Sequence, residues 1–395
     1  MRYVLVLATV LLARVASAQT DGILQLNDPV HRYLERQWTL GNLGASSFIT
    51  HQPLSLPEAR AYLDSLDAHS RSDLSQQDRY FLDRFLGNDP APGATWANER
   101  IGKIYGNGND FAAFTGDGYS IQVNPLLYLS YGIAKQSERP DRDESISVGQ
   151  NTRGIRLSGH IGDHVFFETR FEENQVKLPD LAGPVNGDRR GFAYRDGDNT
   201  FDYGVATGVI GFRSRFFEAR FGQDRHRWPA TNGSLVLSNY SPPFAFLQLR
   251  TTVGPFQYKN HFASLQDART PRGEGELIKP FKYGAFHRLA YQPSSRVELG
   301  IFESIILAPT DDELDPGFFF TFLNPVVLLH TLNLDLGSPG NVLLGIDARW
   351  RIRDGLAVDG QFFVDDLEIS EFFSNPDYWK NTYGLQLGVS TVDLA

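Results

Sequence analysis

Alternation of apolar and polar residues, repeated over most of the chain, constrains its fold more than any other feature. In segment 164–175, Phe167 and Phe171 share one parity, and Glu168 and Arg170 share the other. Successive side chains of a strand point to opposite faces, so a period of two predicts β-strands. Strands with one apolar and one charged face suit a transmembrane β-barrel, because lipid must meet apolar groups while the interior can be wet.

The connections between these segments are sorted by length. Tight turns are indicated at Gly162, Ser214, Gly254, Ser294 and Gly355. Long loops are indicated at about 174–200, 224–243, 266–280, 307–317 and 366–380. Outer-membrane barrels alternate short periplasmic turns with long outer loops. A secreted all-β sandwich or propeller, which is the alternative, has no reason to sort its loops in this way.

The predicted fold class is therefore all-β, a transmembrane outer-membrane β-barrel with a small N-terminal α-helical region. Region 101–395 supplies about 12 to 13 strands by this pattern. Single-chain barrels have even strand numbers, so the count predicts an incomplete barrel or a shortened chain. The predicted strand cores are 119–133, 150–161, 164–174, 201–213, 215–223, 244–253, 256–265, 281–291, 296–306, 318–330, 341–353, 356–366 and 380–391.

Residues 1–18 have the pattern of a secretory signal peptide. Arg2 provides the positive charge, 3–13 the apolar core, and Ala16 and Ala18 the small residues of a cleavage site. We therefore expect export and residence in the outer membrane of a Gram-negative bacterium.

Region 19–100 is predicted to be helical. Asp28 followed by Pro29 indicates an N-cap and a first helical residue. Ser55 and Ser75 each stand three residues before an acidic residue and open an apolar pattern with helical spacing, as a capping residue does. Three short helices are expected from these signals.

Composition narrows the classes of function. The chain has no cysteine, which excludes disulfides and cysteine-based metal sites or nucleophiles. Its formal charge of −10 argues against nucleic acid as a partner. The 29 Phe and 16 Tyr residues suit the aromatic girdles of a membrane barrel.

The candidate site consists of charged residues on two predicted strands, at the alternate positions that would face the interior of the barrel. Such rows line pores or contact anionic sugars, and the alternative is that they pair with one another and fill the interior structurally. These residues are Glu168, Arg170, Glu172, Arg349, Arg351 and Arg353.

Metal and catalytic sites have weaker signals. Asp196, Asp198 and Asp202 alternate like the start of a calcium loop, but the glycine and the distal acid of that motif are missing. A solvated loop is the preferred interpretation, so we expect neither a metal nor another cofactor. Segment 224–228 mixes Asp and His, but no second His lies nearby in sequence, and we interpret it as the base of a loop.

An enzyme is the least favoured class. Asp365 and Asp366 suggest the carboxylate pair of a glycosidase. Neighbours on a strand point to opposite faces, however, so these two carboxylates cannot form one pair. We therefore expect no catalytic activity.

Four segments carry a resemblance to a known family. They are DPVHRYLERQWTLGNLG at 28–44, PLSLPEARAYLDSL at 53–66, FLNPVVLLHTLN at 322–333, and GNVLLGIDARWRIRDGLAVDGQFFVDDLE at 340–368. In these segments and in the order of its parts, the chain resembles the Wzi-type capsule assembly family of outer-membrane proteins, with its RemB-like gliding-motility relatives. The resemblance implies a barrel with an N-terminal helical bundle that holds capsular polysaccharide at the cell surface.

The function expected from this resemblance is non-catalytic binding or organisation of surface polysaccharide. The expected partners are outer-membrane lipid, lipopolysaccharide and capsular polysaccharide, with the chain acting as a monomer. A porin-like channel is the second hypothesis, and an outer-membrane enzyme is the third. An open interior would favour the channel, and helices packed inside it would favour the binder.

Overall fold

The computed structural model describes residues 9–11, 23–26, 28–86, 111–136, 144–178, 193–195, 200–229, 233–238, 241–266, 281–307, 320–327, 340–365 and 382–393. The chain forms two compact units. The first comprises 1–23, 82–210 and 240–243, and the second comprises 24–81, 211–239 and 244–395.

Three helices form in the N-terminal region, as predicted. They are α1 Pro29–Leu40, α2 Leu56–His69 and α3 Gln76–Leu86. Asp28 caps α1 by accepting a hydrogen bond from the Val30 amide, and Ser55 caps α2 by accepting one from the Glu58 amide. Within the described parts of the chain, no helix combines the length and the apolar character needed to cross a membrane.

The first unit contains an antiparallel sheet. Its strands are β1 Thr9–Leu11, β2 Ala112–Gly116, β3 Tyr119–Gln136, β4 Glu144–Ile161, β5 Val165–Lys177, β6 Ala193–Arg195 and most of β7 Thr200–Arg213. β3 pairs with β4, and β4 pairs with β5 across a tight turn at Gly162, whose φ of 60° suits glycine. β1 lies within the predicted signal peptide and pairs with β3.

The second unit contains a longer run of antiparallel strands. They are β8 Phe217–Asp224, β9 Phe244–Val253, β10 Phe256–Gln266, β11 Phe281–Ser294, β12 Val297–Leu307, β13 Asn341–Arg353, β14 Leu356–Asp365 and β15 Thr382–Thr391. From β8 onward, each strand pairs with the next in sequence. Among the described residues, β15 has one paired neighbour, which is β14.

These pairings confirm an antiparallel all-β fold with short helices, whereas closure into a barrel stays a prediction. The expected strand at 318–330 is wrong over its described part, since Phe320–Leu323 forms a short 3-10 helix and no strand follows up to residue 327. Pro325 lacks an amide hydrogen for a strand ladder, and Asn324 accepts a hydrogen bond from the Val326 amide instead.

The sheet is polar on its buried face and apolar on its exposed face over much of its length. On β13, Asp347 and Arg349 are buried, whereas Ile346 and Trp350 are exposed. On β5, Glu168 is buried and Phe171 is exposed, which is the alternation that the sequence predicts. The largest apolar side chains of β15 are all exposed, namely Tyr383, Leu385, Leu387 and Val389.

A conventional core lies among residues 24–81. Leu34, Trp38, Phe48, Leu54 and Leu66 are almost completely buried. Residues 24–81 therefore supply many of the buried apolar side chains of the second unit, while its strands contribute many of its buried charges.

Candidate functional site

Charged residues on the buried face of β8–β14 meet the N-terminal segment, defined here as residues 28–81. Both belong to the second unit. The contacts form three groups, centred on Arg288, on Glu218 and on Trp38, which together constitute the docking interface.

Arg288 on β11 holds two carboxylates. It donates to Asp347 over 2.5 and 2.9 Å and to Glu298 over 2.9 Å. Thr50 of the N-terminal segment completes the group, because its hydroxyl donates to the same Glu298 oxygen over 2.5 Å. The arginine is only 2% exposed, so its charge is compensated by these partners rather than by bulk water.

Glu218 on β8 centres the second group. Arg220 donates to it over 2.6 Å and Arg250 over 2.8 Å. Arg250 also forms an ion pair with Glu58 in the first turn of α2, and Arg220 donates to the Pro53 carbonyl over 2.9 Å. The start of α2 is thus fixed to the sheet by charged hydrogen bonds, which are stronger than neutral ones.

Two of the predicted arginines contact Trp38 of α1. The guanidinium of Arg349 lies 3.9 Å from the centre of its ring, and Arg351 donates to its carbonyl over 2.6 Å. Both arginines are buried. A register shift between Arg351 and Arg353 leaves Arg353 exposed and outside this group. Of the predicted row, Arg349 and Arg351 therefore belong to the docking interface, whereas Arg353 is exposed.

The other predicted charges lie on β5 in the first unit. Glu168 accepts hydrogen bonds from Arg156 over 2.9 Å and from the Ile23 amide over 3.0 Å. Arg170 pairs with Glu172 on the same strand. These charges are satisfied mainly by neighbours on the sheet.

The calcium candidate falls mostly outside the described residues. Asp196 and Asp198 are among the residues that the structure does not describe, and Asp202 lies partly buried on β7.

Three histidines meet within the second unit. His51 lies between α1 and α2, His226 follows β8, and His261 lies on β10. Each ring offers a nitrogen such that the three atoms lie within 4.8 Å of one another. The ring centroids of His226 and His261 are 4.3 Å apart, and all three residues are about 1% exposed.

Backbone pairing brings two of these histidines together. Gln52 and Arg227 form an antiparallel bridge, with amide-to-carbonyl distances of 3.0 and 2.9 Å. Because these residues immediately follow His51 and His226, the bridge fixes both ring-bearing backbones side by side. On β10, His261 lies on the same face as Gln257 and Lys259, which are also buried.

The histidines outside the strands are held in their neutral form. Burial, with the nearby charge of Lys259, lowers the pKa of His51 well below its usual value. Burial also lowers the pKa of His226, with a further contribution from His261. A neutral imidazole keeps a lone pair, which is the form that binds metal ions.

The sequence contained only part of the signal for this cluster. It singled out His226, but His51 and His261 are distant in sequence, and only the fold brings them together. His261 falls within the predicted strand 256–265, but the sequence did not mark it as a site residue. Nothing in the sequence indicated that the loop carrying His51 would reach the same place.

Comparisons with known proteins give no family assignment. No family model matches the chain, and no curated protein matches it. The resemblance to Wzi-type proteins therefore rests on the four quoted segments and on the order of the parts of the chain.

Proposed function

We propose that the protein is an outer-membrane β-barrel that binds or organises surface polysaccharide and catalyses no reaction. The observation that carries the membrane part of the proposal is the distribution of side chains on the sheet. Charged residues are buried on one face, and rows of apolar residues are exposed on the other. In water, exposing such rows is unfavourable, whereas lipid accepts them and excludes the charges. In the exported protein, residues 1–18 would be removed as a signal peptide.

The docking interface favours a binder over a channel. Three groups of charged or aromatic contacts hold the N-terminal segment on the face that a barrel would turn inward. A porin needs that space for water and solute. The interface thus supports an occupied interior in the second unit.

The polysaccharide part of the proposal rests on the family resemblance. Of the predicted arginine row, Arg353 is the member left exposed for a ligand, since Arg349 and Arg351 contact Trp38. An exposed guanidinium can bind a sugar carboxylate through two hydrogen bonds.

The membrane part is tested by a charge on an exposed strand residue. Leu387 on β15 is 77% exposed. If it faces lipid near the bilayer centre, Leu387→Arg should destabilise the protein folded in vesicles by about 2–4 kcal/mol. The matched control is Tyr80→Arg on α3, at an exposed site outside the sheet, where we expect a change within about 0.5 kcal/mol.

A cost for Leu387→Arg as small as that of the control would show that this face meets water. The chain would then be a soluble all-β protein. Fractionation supplies a second readout, because recovery of the chain in the soluble periplasmic fraction contradicts the membrane assignment.

The polysaccharide part is tested in the bacterium that carries the gene. Deletion of the gene should release capsule into the medium, and the wild-type gene should restore its retention. Arg353→Gln should restore it less well, while Arg296→Gln, an exposed arginine near the adjacent turn, serves as control. Unchanged capsule retention in the deletion strain, together with conductance of the purified protein in planar bilayers, would favour the channel.

A further inference from the structure

We propose that His51, His226 and His261 form a binding site for one transition-metal ion, of which zinc(II) is the test ion. The site would connect three separate parts of the second unit, namely the N-terminal segment, the turn after β8, and β10. This proposal is independent of whether the protein binds polysaccharide.

The unpaired ring nitrogens are the first argument. Both nitrogens of each of the three rings are buried and have no hydrogen-bond partner among the described residues. A buried polar group without a partner costs about 1–3 kcal/mol, and three such rings have converged on one point. A metal ion would give each ring a partner at once.

The spacing of the rings is the second argument. In a tetrahedral zinc site with bonds of about 2.0–2.1 Å, ligand nitrogens lie roughly 3.3 Å apart. The three nitrogens here lie within 4.8 Å of one another. Side-chain shifts on the order of 1 Å would close the remaining gap, and three histidine ligands leave a fourth position for water or another ligand.

The surroundings determine which ions fit. Imidazole nitrogen suits zinc, copper, nickel and iron, whereas magnesium and calcium need oxygen ligands. Aromatic rings enclose the cluster. His261 stacks on Phe246 at 5.0 Å, and His51 lies 5.8 Å from Trp228. This enclosure separates the cluster from bulk solvent, so an ion held by three rings here should exchange slowly.

Nearby charges set the cost of binding a cation. Arg220 and Lys259 lie close enough to His51 to lower its pKa and would oppose an added positive charge. Glu58 and Glu218 lie in the same interior and compensate the arginines through their ion pairs. The proposal therefore requires neutral histidines and a borderline metal that gains strongly from nitrogen ligands.

The test measures metal binding by the full-length chain, purified in detergent without a histidine tag and stripped with a chelator. Titration with zinc(II) against a chromophoric chelator should show one equivalent bound per chain. Cobalt(II) should give the visible absorption of a tetrahedral site, and excess magnesium should not displace it. Zinc should also raise the unfolding temperature of the wild type.

Three variants locate the site, namely His51→Gln, His226→Gln and His261→Gln. Each should weaken zinc binding by at least about 100-fold, since even outer-shell partners of metal ligands account for about 10–100-fold. The matched control is His31→Gln, because His31 is buried in the same N-terminal segment but is not part of the cluster. His69→Gln, at an exposed helix end, controls for surface binding.

Folding is checked separately by heat-modifiable gel migration. If His261→Gln fails to fold, His51→Gln decides the question, because His51 lies in a loop rather than in the sheet. The proposal is overturned if the stripped wild type binds no zinc at micromolar concentration. It is equally overturned if the cluster variants bind zinc as tightly as His31→Gln does.

Discussion

The strands of the two units satisfy their buried polar groups in different ways. In the first unit most of the partners lie on the same or an adjacent strand, for example Thr152 with Asn174 at 2.7 Å. In the second unit the N-terminal segment adds partners to charges that also pair within the sheet, as when Thr50 donates to Glu298 from 248 positions away. The alternation of residues is similar in both units, yet the same pattern supports two architectures.

This difference indicates that the buried charges of the second unit serve to hold the N-terminal segment on the sheet. A charge that pairs with its own strand needs no other element, whereas a buried charge that pairs with a distant segment makes the sheet depend on that segment. The docking interface is therefore a surface that binds residues 28–81 specifically. Four experiments test the comparison, in order of expected effect.

The largest effect is expected for Arg288→Gln. The substitution leaves Glu298 and Asp347 buried without their cation, and breaking a buried pair in this way costs about 3–5 kcal/mol. Urea unfolding in detergent measures this cost. The counterpart in the first unit is Arg170→Gln, which removes a single, partly exposed pair with Glu172 and should cost less than about 1 kcal/mol. Similar costs for the two variants would remove the distinction between the units.

Trp38→Ala should cost about 3 kcal/mol, because it deletes a buried ring and the surface on which Arg349 stacks. The N-terminal segment should then become sensitive to protease while the strands stay protected. Tyr80→Ala, at an exposed site on α3, is the control and should change neither property. Continued protection of the segment in the Trp38 variant would mean that α1 docks mainly through other contacts.

Acid should weaken the docking of the N-terminal segment. Burial, aided by the charge of Arg227, lowers the pKa of His31 from 6.5 to about 3. The unfolded chain therefore binds more protons than the folded one between these values, so stability falls as pH falls through this window. From pH 7 to pH 5 the loss from this residue is about 2 kcal/mol.

His31→Gln should remove the contribution of this residue to that pH dependence, since the glutamine does not titrate and can still accept the hydrogen bond from the Leu54 amide. Unfolding curves at several pH values measure the slope. His69→Gln, at an exposed helix end, is the control for the substitution itself. An unaltered slope in the His31 variant would show that this side chain can be protonated in the folded protein.

The smallest effect is expected for Thr152→Val in the first unit. It removes the hydrogen bond to Asn174 and one from Gln150, at a net cost of about 1 kcal/mol. Protease protection of residues 28–81 should not change. If that segment became sensitive, the polar pairs of the first unit would not be as local as their contacts indicate.

Much of the secondary structure could be predicted from the sequence. Period-two alternation identified the main strands, and the capping signals at Asp28 and Ser55 located two helix starts. The expected strand at 318–330 failed because its apolar run hid the effect of Asn324 and Pro325 on the backbone. These features depend on local geometry, which a sequence carries directly.

The candidate site was less predictable, since its partners are distant in sequence. The parity of Arg349 and Arg351 placed them on the buried face, but no local rule indicated that Trp38 would meet them. The same holds for His51, which joins His226 and His261 only after the N-terminal segment docks. Conversely, the parity argument extended the row to Arg353, because it could not anticipate the register shift before that residue.

The long separation between docking partners also determines when the fold can be completed. Arg351 donates to Trp38 across 313 positions, and Arg36 donates to Asp393 across 357. The segment made first must therefore wait for strands made last, and contacts of such high contact order form slowly. Until then the charges of β8–β13 lack their final partners, so a half-assembled chain is prone to aggregation. We expect refolding to show an intermediate in which strands have paired while residues 28–81 are still accessible to protease.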